Sequence, residues 1–149
     1  MNPFPSQEHK ETFLAALRMA HVASVTVEFS GSGDSGQIDY VIAVNAEGNA
    51  IDLSKSKLLW PIKSSQHLDG NWVESTSDEP TSLEDIAKTI TYEALEQSNH
   101  DWYNNDGGQG TFQIDFATDP TTITLEVEVN YTKTNNHKYD LNKEASEDA

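Results

Sequence analysis

Four stretches of the chain alternate apolar and polar residues with a period of two. That pattern suits half-buried strands and is incompatible with an amphipathic helix. SVTVEFS (24–30) sends Val25, Val27 and Phe29 to one side. Residues 37–45 send Ile38, Tyr40, Ile42 and Val44 to one side. Residues 111–117 alternate with Phe112, Ile114 and Phe116 inward, and after a TDPT turn residues 122–132 alternate with Ile123, Leu125, Val127, Val129 and Tyr131 inward. The first two stretches flank GSGDSG, and Asn45–Gly48 then turns the chain toward a short strand near Ala50–Leu53, so a three-stranded meander is expected.

Two other stretches carry the helical period. Over residues 6–22, Ser6 can cap a helix whose apolar face holds Phe13, Leu17 and Ala20. Thr81 and Glu84 make a T-x-x-E capping box ahead of the stripe Leu83, Ile86, Ile90 and Ala94, flanked by Ala87 and Leu95. Glu84 and Asp85 suit the positive end of the helix dipole, and the helix should fray near Asn99. Between these elements, Leu58-Leu59-Trp60 reads as a fourth strand stopped by Pro61. Residues 64–80 are polar, with turn signals at Asp69-Gly70 and Asp78-Glu79-Pro80, and Trp72 is expected to anchor them on the body. The order predicts an α+β domain: an antiparallel sheet of about five strands with two helices packed on one face. At 149 residues, one domain over 1–135 is expected, with Val27, Ile42, Ile90, Ile114 and Val127 in its core. Residues 136–149 hold few apolar groups and read as a mobile acidic tail.

Charge narrows the function classes. The chain carries 25 Asp and Glu against 9 Lys and Arg, a net charge of −16. Between Lys63 and Lys133 fourteen acids face a single base, Lys88. Such a surface repels nucleic acid and anionic membranes and attracts basic protein surfaces. The plainer reading is solubility, or adaptation to a salty cytoplasm, where acids are abundant and Lys is scarce. The strand alternation that builds the core also sends Glu28, Asp39, Gln113, Asp115, Glu126 and Glu128 outward, predicting one acidic, solvated sheet face. There is no Cys, which excludes disulfides, thiolate zinc sites and thiol nucleophiles. No run reaches the roughly 18 apolar residues of a membrane span. The N-terminal MNPFPSQEHKETF lacks the layout of a signal peptide, so a cytoplasmic chain is expected.

The two Gly/Asp loops, GSGDSG (31–36) and NNDGGQG (104–110), are the candidates for site chemistry. Gly allows close approach, and Asp34, Asn104 and Asp106 offer hard oxygens of the kind Ca²⁺ or Mg²⁺ takes. Neither loop has the EF-hand spacing, and GSGDSG lacks the following helix of a phosphate loop. The plainer readings are a hairpin connection and a helix end with Asx turns, so no metal and no cofactor are expected. In HDWYNNDGGQG (100–110), Trp102 should pack at the core edge while Asn104, Asn105 and Asp106 satisfy backbone donors. Ser32 or Ser35 can be drawn beside His100 and Asp106 as a triad, but there is no G-x-S-x-G context. None of the five His pairs at i, i+4, and His100 suits a helix C-terminus, so no catalytic residue is assigned.

GSGDSGQI together with W-x-NNDGG-x-G and the following F-x-x-D strand resembles an uncharacterised family of small acidic proteins carried by bacterial plasmids and phages. The resemblance covers about residues 24–40 and 81–131. It implies a mobile-element origin and assigns no catalytic residue.

The leading expectation is a non-enzymatic interaction protein. Its acidic face, with Glu28, Asp39, Asp115, Glu126 and Glu128, would bind and block a basic, nucleic-acid-handling partner. That partner would be a host defence complex such as a CRISPR effector or a restriction enzyme. A second expectation is a small ligand- or divalent-metal-binding domain, with hydrolysis as an extension, built on loop residues Asp34, His100, Trp102, Asn104, Asn105 and Asp106. A third is an accessory subunit of a larger complex.

Overall fold

The computed structural model describes residues 2–32, 35–98, 108–118, 121–129 and 135–141. Its elements are α1 (Gln7–Met19), β1 (Ser24–Ser32), β2 (Ser35–Val44), β3 (Lys57–Leu68), β4 (Asn71–Ser82), α2 (Leu83–Ser98), β5 (Gly108–Asp115), β6 (Thr122–Val129) and β7 (Asn135–Asp140). Five strands form an antiparallel sheet in the order β2-β1-β5-β6-β7, and β3 and β4 form a separate ribbon. This is the α+β class expected.

Register explains which side is the core. Ala43, Val25, Ile114 and Ile123 lie in one row across four strands, and Val41, Val27, Phe112 and Leu125 in the next. Apart from half-buried Val41, these residues are buried in one cluster with Phe13, Leu14 and Leu17 of α1 and Leu83, Ile86, Ile90 and Ala94 of α2. Both helices therefore cover the same face. On the opposite face Tyr40, Ile42, Gln113 and Glu126 remain exposed. In the third inner row Phe29 faces Gly110. A Cβ at Gly110 would come 2.7 Å from the Phe29 ring and overlap the Glu126 carbonyl, so only Gly fits there.

The strand β2 departs from its sequence pattern. Glu28 pairs with Tyr40 and Phe29 pairs with Ile38, which leaves Asp39 as an extra residue in a β-bulge. Ile38 faces inward as expected. Past the bulge the faces exchange: Val41 and Ala43 turn inward, while Tyr40 and Ile42 turn out. Ile42 is 45% exposed, so its expected place in the core is wrong. The expected strand at Ala50–Leu53 is likewise reduced to one bridge, Val44 to Ala50. The fifth strand is β7 instead. Residues 136–140, which composition had placed in the tail, pair with β6, and Leu141 after them is buried. Residues 142–149 lie outside the described residues.

The helix ends follow local chemistry. Ser6 accepts the His9 amide at 3.1 Å to cap α1. At the other end, Val22 donates to the Leu17 carbonyl and His21 to that of Arg18, a Schellman motif with His21 at φ 64° where Gly is usual. The helix thus stops short of the expected residue 22. The start of α2 shifts by one residue from the T-x-x-E reading. Ser82, not Thr81, caps it by accepting the Asp85 amide at 3.1 Å, while the Thr81 hydroxyl donates to the Glu79 carbonyl at 2.8 Å. The amides of Leu83 and Glu84 find the carbonyls of Ser56 and Leu53. All three free donors of that first turn are satisfied.

The segment expected to lie on the body is a projecting arm. The strands β3 and β4 pair along twelve residues each, and Asp69 and Gly70, at φ 51° and 82°, make the two-residue primed turn between them. The root packs: Trp60 is 1% exposed and sits edge-on to Phe13 at 6.0 Å and His9 at 5.1 Å. Beyond Ile62 every residue to Pro80 is exposed. Pro61 does not stop the strand. Counting from the turn, Pro61 and Pro80 both occupy non-hydrogen-bonded pairs, where the missing N–H costs no bond within the ribbon. Trp72 is 73% exposed and sits edge-on to His67 at 5.2 Å. The anchor is Trp60, and Trp72 rides at the arm's end because the turn carries both strands away from the body.

Candidate functional site

The uncovered face of the sheet is a grid of outward side chains. One row runs Tyr40, Glu28, Thr111, Glu126, Lys138 across β2, β1, β5, β6 and β7. The next runs Gln37, Ser30, Gln109, Glu128 over the first four of those strands. With strands about 4.8 Å apart, Glu28 and Glu126 stand about 10 Å apart in their row, and Glu126 and Glu128 about 7 Å apart along β6. No helix shields them.

The partner-binding candidates fall into three settings. Glu28, Glu126 and Glu128 share this face; Glu126 is exposed and the other two half-exposed. Glu128 accepts from Gln109 Nε2, its cross-strand neighbour, at 2.7 Å, and Glu126 has Lys138 as its cross-strand partner. Asp39 sits on the bulge, exposed, with Gln37 Nε2 at 3.3 Å from Oδ1. Glu28 and Asp39 line one shallow concavity with Ser30, Tyr40, Gln109 and Gly110. Asp115 is separate: its Oδ1 accepts the Ala117 amide at 2.8 Å, so it serves the turn after β5. A bulge whose extra residue is an acid thus adds one carboxylate beside Glu28 in that concavity.

The loop candidates Asp34, His100, Trp102, Asn104, Asn105 and Asp106 lie outside the described residues. The described ends of their loops are adjacent, because Gly31 pairs with Gly108 across β1 and β5. Among the described residues no three His, Asp or Glu side chains converge to hold a metal ion. Among the described residues, the carboxyl of Asp52 is held below its usual range, through the Ser54 hydroxyl at 2.5 Å and then the Ser54 amide at 2.9 Å. It belongs to a surface turn and not to the sheet face.

Sequence reasoning missed the exposed apolar residues of the arm. Leu68, Trp72 and Val73 surround the Asp69-Gly70 turn, at 49%, 73% and 42% exposure. The available signal was the Asp-Gly pair itself, centred between two runs of equal length.

Among the described residues no helix is long and apolar enough to cross a membrane. No curated protein and no solved structure matches the chain. The model of a family of unknown function, DUF6878, matches residues 6–141 and so spans the arm as well as the sheet. The chain therefore belongs to DUF6878, a family of unknown function.

Proposed function

We propose that this protein is a non-enzymatic acidic binder from a plasmid or phage. It occupies the basic surface with which a nucleic-acid-handling partner, such as a CRISPR effector or a restriction enzyme, holds its substrate. The observation that carries this reading is the helix-free sheet face bearing Glu28, Glu126 and Glu128 in adjacent rows. A net charge of −16 steers such a surface toward basic partners and away from nucleic acid. The plasmid or phage origin rests on the resemblance of the two Gly/Asp loops.

The test is inhibition of purified nucleases, one RNA-guided effector and one restriction endonuclease, by the parent and by the double variant E126K/E128K. Outward strand positions contribute little to the core, so the variant should fold. Expected is inhibition by the parent that weakens with salt over the Debye range, with little left in the variant. Equal inhibition by the two proteins at both low and high salt would sink the acidic-face reading.

A second reading has one observation in its favour: the pairing of Gly31 with Gly108 brings the described ends of both Gly/Asp loops to one end of the sheet. If they hold Ca²⁺ or Mg²⁺, ion at a hundred times its Kd should stabilise the parent by about 2.7 kcal/mol. The variant Asp106→Ala should lose that gain. A melting temperature indifferent to both ions rejects this reading.

A further inference from the structure

We infer that the β3–β4 arm is an insertion element: its end enters the basic, nucleic-acid-binding cleft of the partner protein, and Leu68, Trp72 and Val73 supply the apolar anchor. The inference rests on the acidic-binder reading above and names how that partner is held.

A two-stranded ribbon without a packed face is marginal in water. Here the root is secured by Trp60 on α1, yet residues 63–80 touch nothing that buries them. Their exposed apolar side chains are not scattered. Leu68 and Val73 lie on one face of the ribbon, because Gln66 pairs with Val73 and Leu68 with Asn71; His67 and Trp72 stack on the other. Both faces of the arm therefore present an anchor within two residues of the turn, a form suited to entering a cleft and not to lying on a flat surface. Large aromatic side chains dominate the energetics of such contacts.

Charge selects the occupant. From residue 63 to 80 the arm carries Asp69, Glu74, Asp78 and Glu79 against Lys63 alone, a net charge of −3. A second copy of this chain, itself strongly acidic, would repel it, and so would duplex DNA or RNA, although a β-ribbon fits the major groove in width. A cleft lined by Lys and Arg complements the carboxylates along the arm's flanks while its apolar floor takes the tip.

The experiment uses the full chain with a photo-crosslinking phenylalanine analogue at position 72 or, separately, at position 113, where Gln113 is exposed on the acidic face. The probe is the heparin-binding fraction of a bacterial lysate, freed of nucleic acid by nuclease, and crosslinked peptides are mapped by mass spectrometry. Expected are crosslinks from position 72 to peptides lining Lys/Arg-rich nucleic-acid clefts, suppressed when duplex DNA or RNA is added back. In the position-113 protein, the triple variant L68S/W72S/V73S should lower crosslink yield by about tenfold or more with an unchanged melting curve. Crosslinks from 113 but not from 72, or an undiminished yield in the triple variant, overturn the arm's role and leave the acidic-face reading standing. Crosslinks from 72 to a second copy of the chain, or to the added nucleic acid, overturn the choice of occupant. Silence from both positions overturns the acidic-face reading and this inference with it.

Discussion

Removing Asp39 from the chain should leave the fold almost untouched, whereas removing Ala43, four residues on, should disrupt the core. Asp39 is the extra residue of the bulge, so without it Gln37, Ile38, Tyr40 and Val41 still face Ser30, Phe29, Glu28 and Val27. Every cross-strand pair survives. The direct loss is an exposed side-chain contact from Gln37 at 3.3 Å. A change of that kind costs about 0.5–1 kcal/mol, roughly 1–4 °C for a chain of this size. Removing Ala43 instead closes the bulge from the other side. The regular register then puts Tyr40 where Val41 stood, opposite Val27, and Ile42 where Ala43 stood, opposite Val25. Both sites lie on the packed inner face, and overfilling each costs about 1–3 kcal/mol, so about 2–6 kcal/mol together. That register also sets Asp39 against Glu28, two like charges across a strand pair. Thermal melts followed by circular dichroism, with urea titrations for the free energies, read the difference. If the chain lacking Asp39 melts as low as the chain lacking Ala43, the bulge does not decide which face of β2 is buried.

Other perturbations separate the remaining contributions. Ile114→Ala, at a fully buried site, should lower stability by about 2–5 kcal/mol in urea titration. Gly110→Ala should cost about 1–3 kcal/mol, because its Cβ meets the Phe29 ring and the backbone of the neighbouring strand. His21→Gly should raise the melting temperature, since His21 holds φ 64° at the end of α1 and relief of that conformation is worth about 0.5–1 kcal/mol. Asp52 contributes stability above its unfolded pKa, and the contribution fades as pH falls through its lowered folded pKa, below 3.8. Ser54→Ala should move the Asp52 titration upward in carboxyl-resolved NMR, and an unmoved midpoint would remove the hydroxyl as its main cause.

Much of the sheet was legible because its inner face is so regular. Val25, Val27 and Phe29, Phe112 and Ile114, and Ile123, Leu125 and Val127 are buried as their alternation says, with Ile90 and Ala94 of α2 over the same face. The register of β2 was not legible. Ile38, Tyr40, Ile42 and Val44 alternate without interruption, and only pairing with β1 shows that one residue is extra. The arm hid for a different reason: Ser, Thr, Gln and Glu on both faces leave no period to read, since neither face of its outer part is buried. The strand β7 offers little more, with Tyr139 and, just beyond its end, Leu141 as the apolar contacts. For the site, outward alternation correctly placed Glu28, Glu126 and Glu128 on the uncovered face. Asp115 shares that alternation, yet the turn after it claims its carboxylate, a use that spacing alone does not reveal.

The positions of Pro61 and Pro80 have a consequence for how the arm can meet other chains. In a non-hydrogen-bonded pair the backbone groups of each residue point away from the ribbon, toward its two outer rims. Each rim therefore has one missing donor near the root, where a foreign strand would otherwise lay down an unbroken ladder. An exposed ribbon of this length is a template for cross-β growth, and a proline on each rim is an obstacle to it. Between each proline and the turn, the outward amides of both rims remain open to pairing. Strand addition to either rim is therefore confined to the stretch between the proline and the turn.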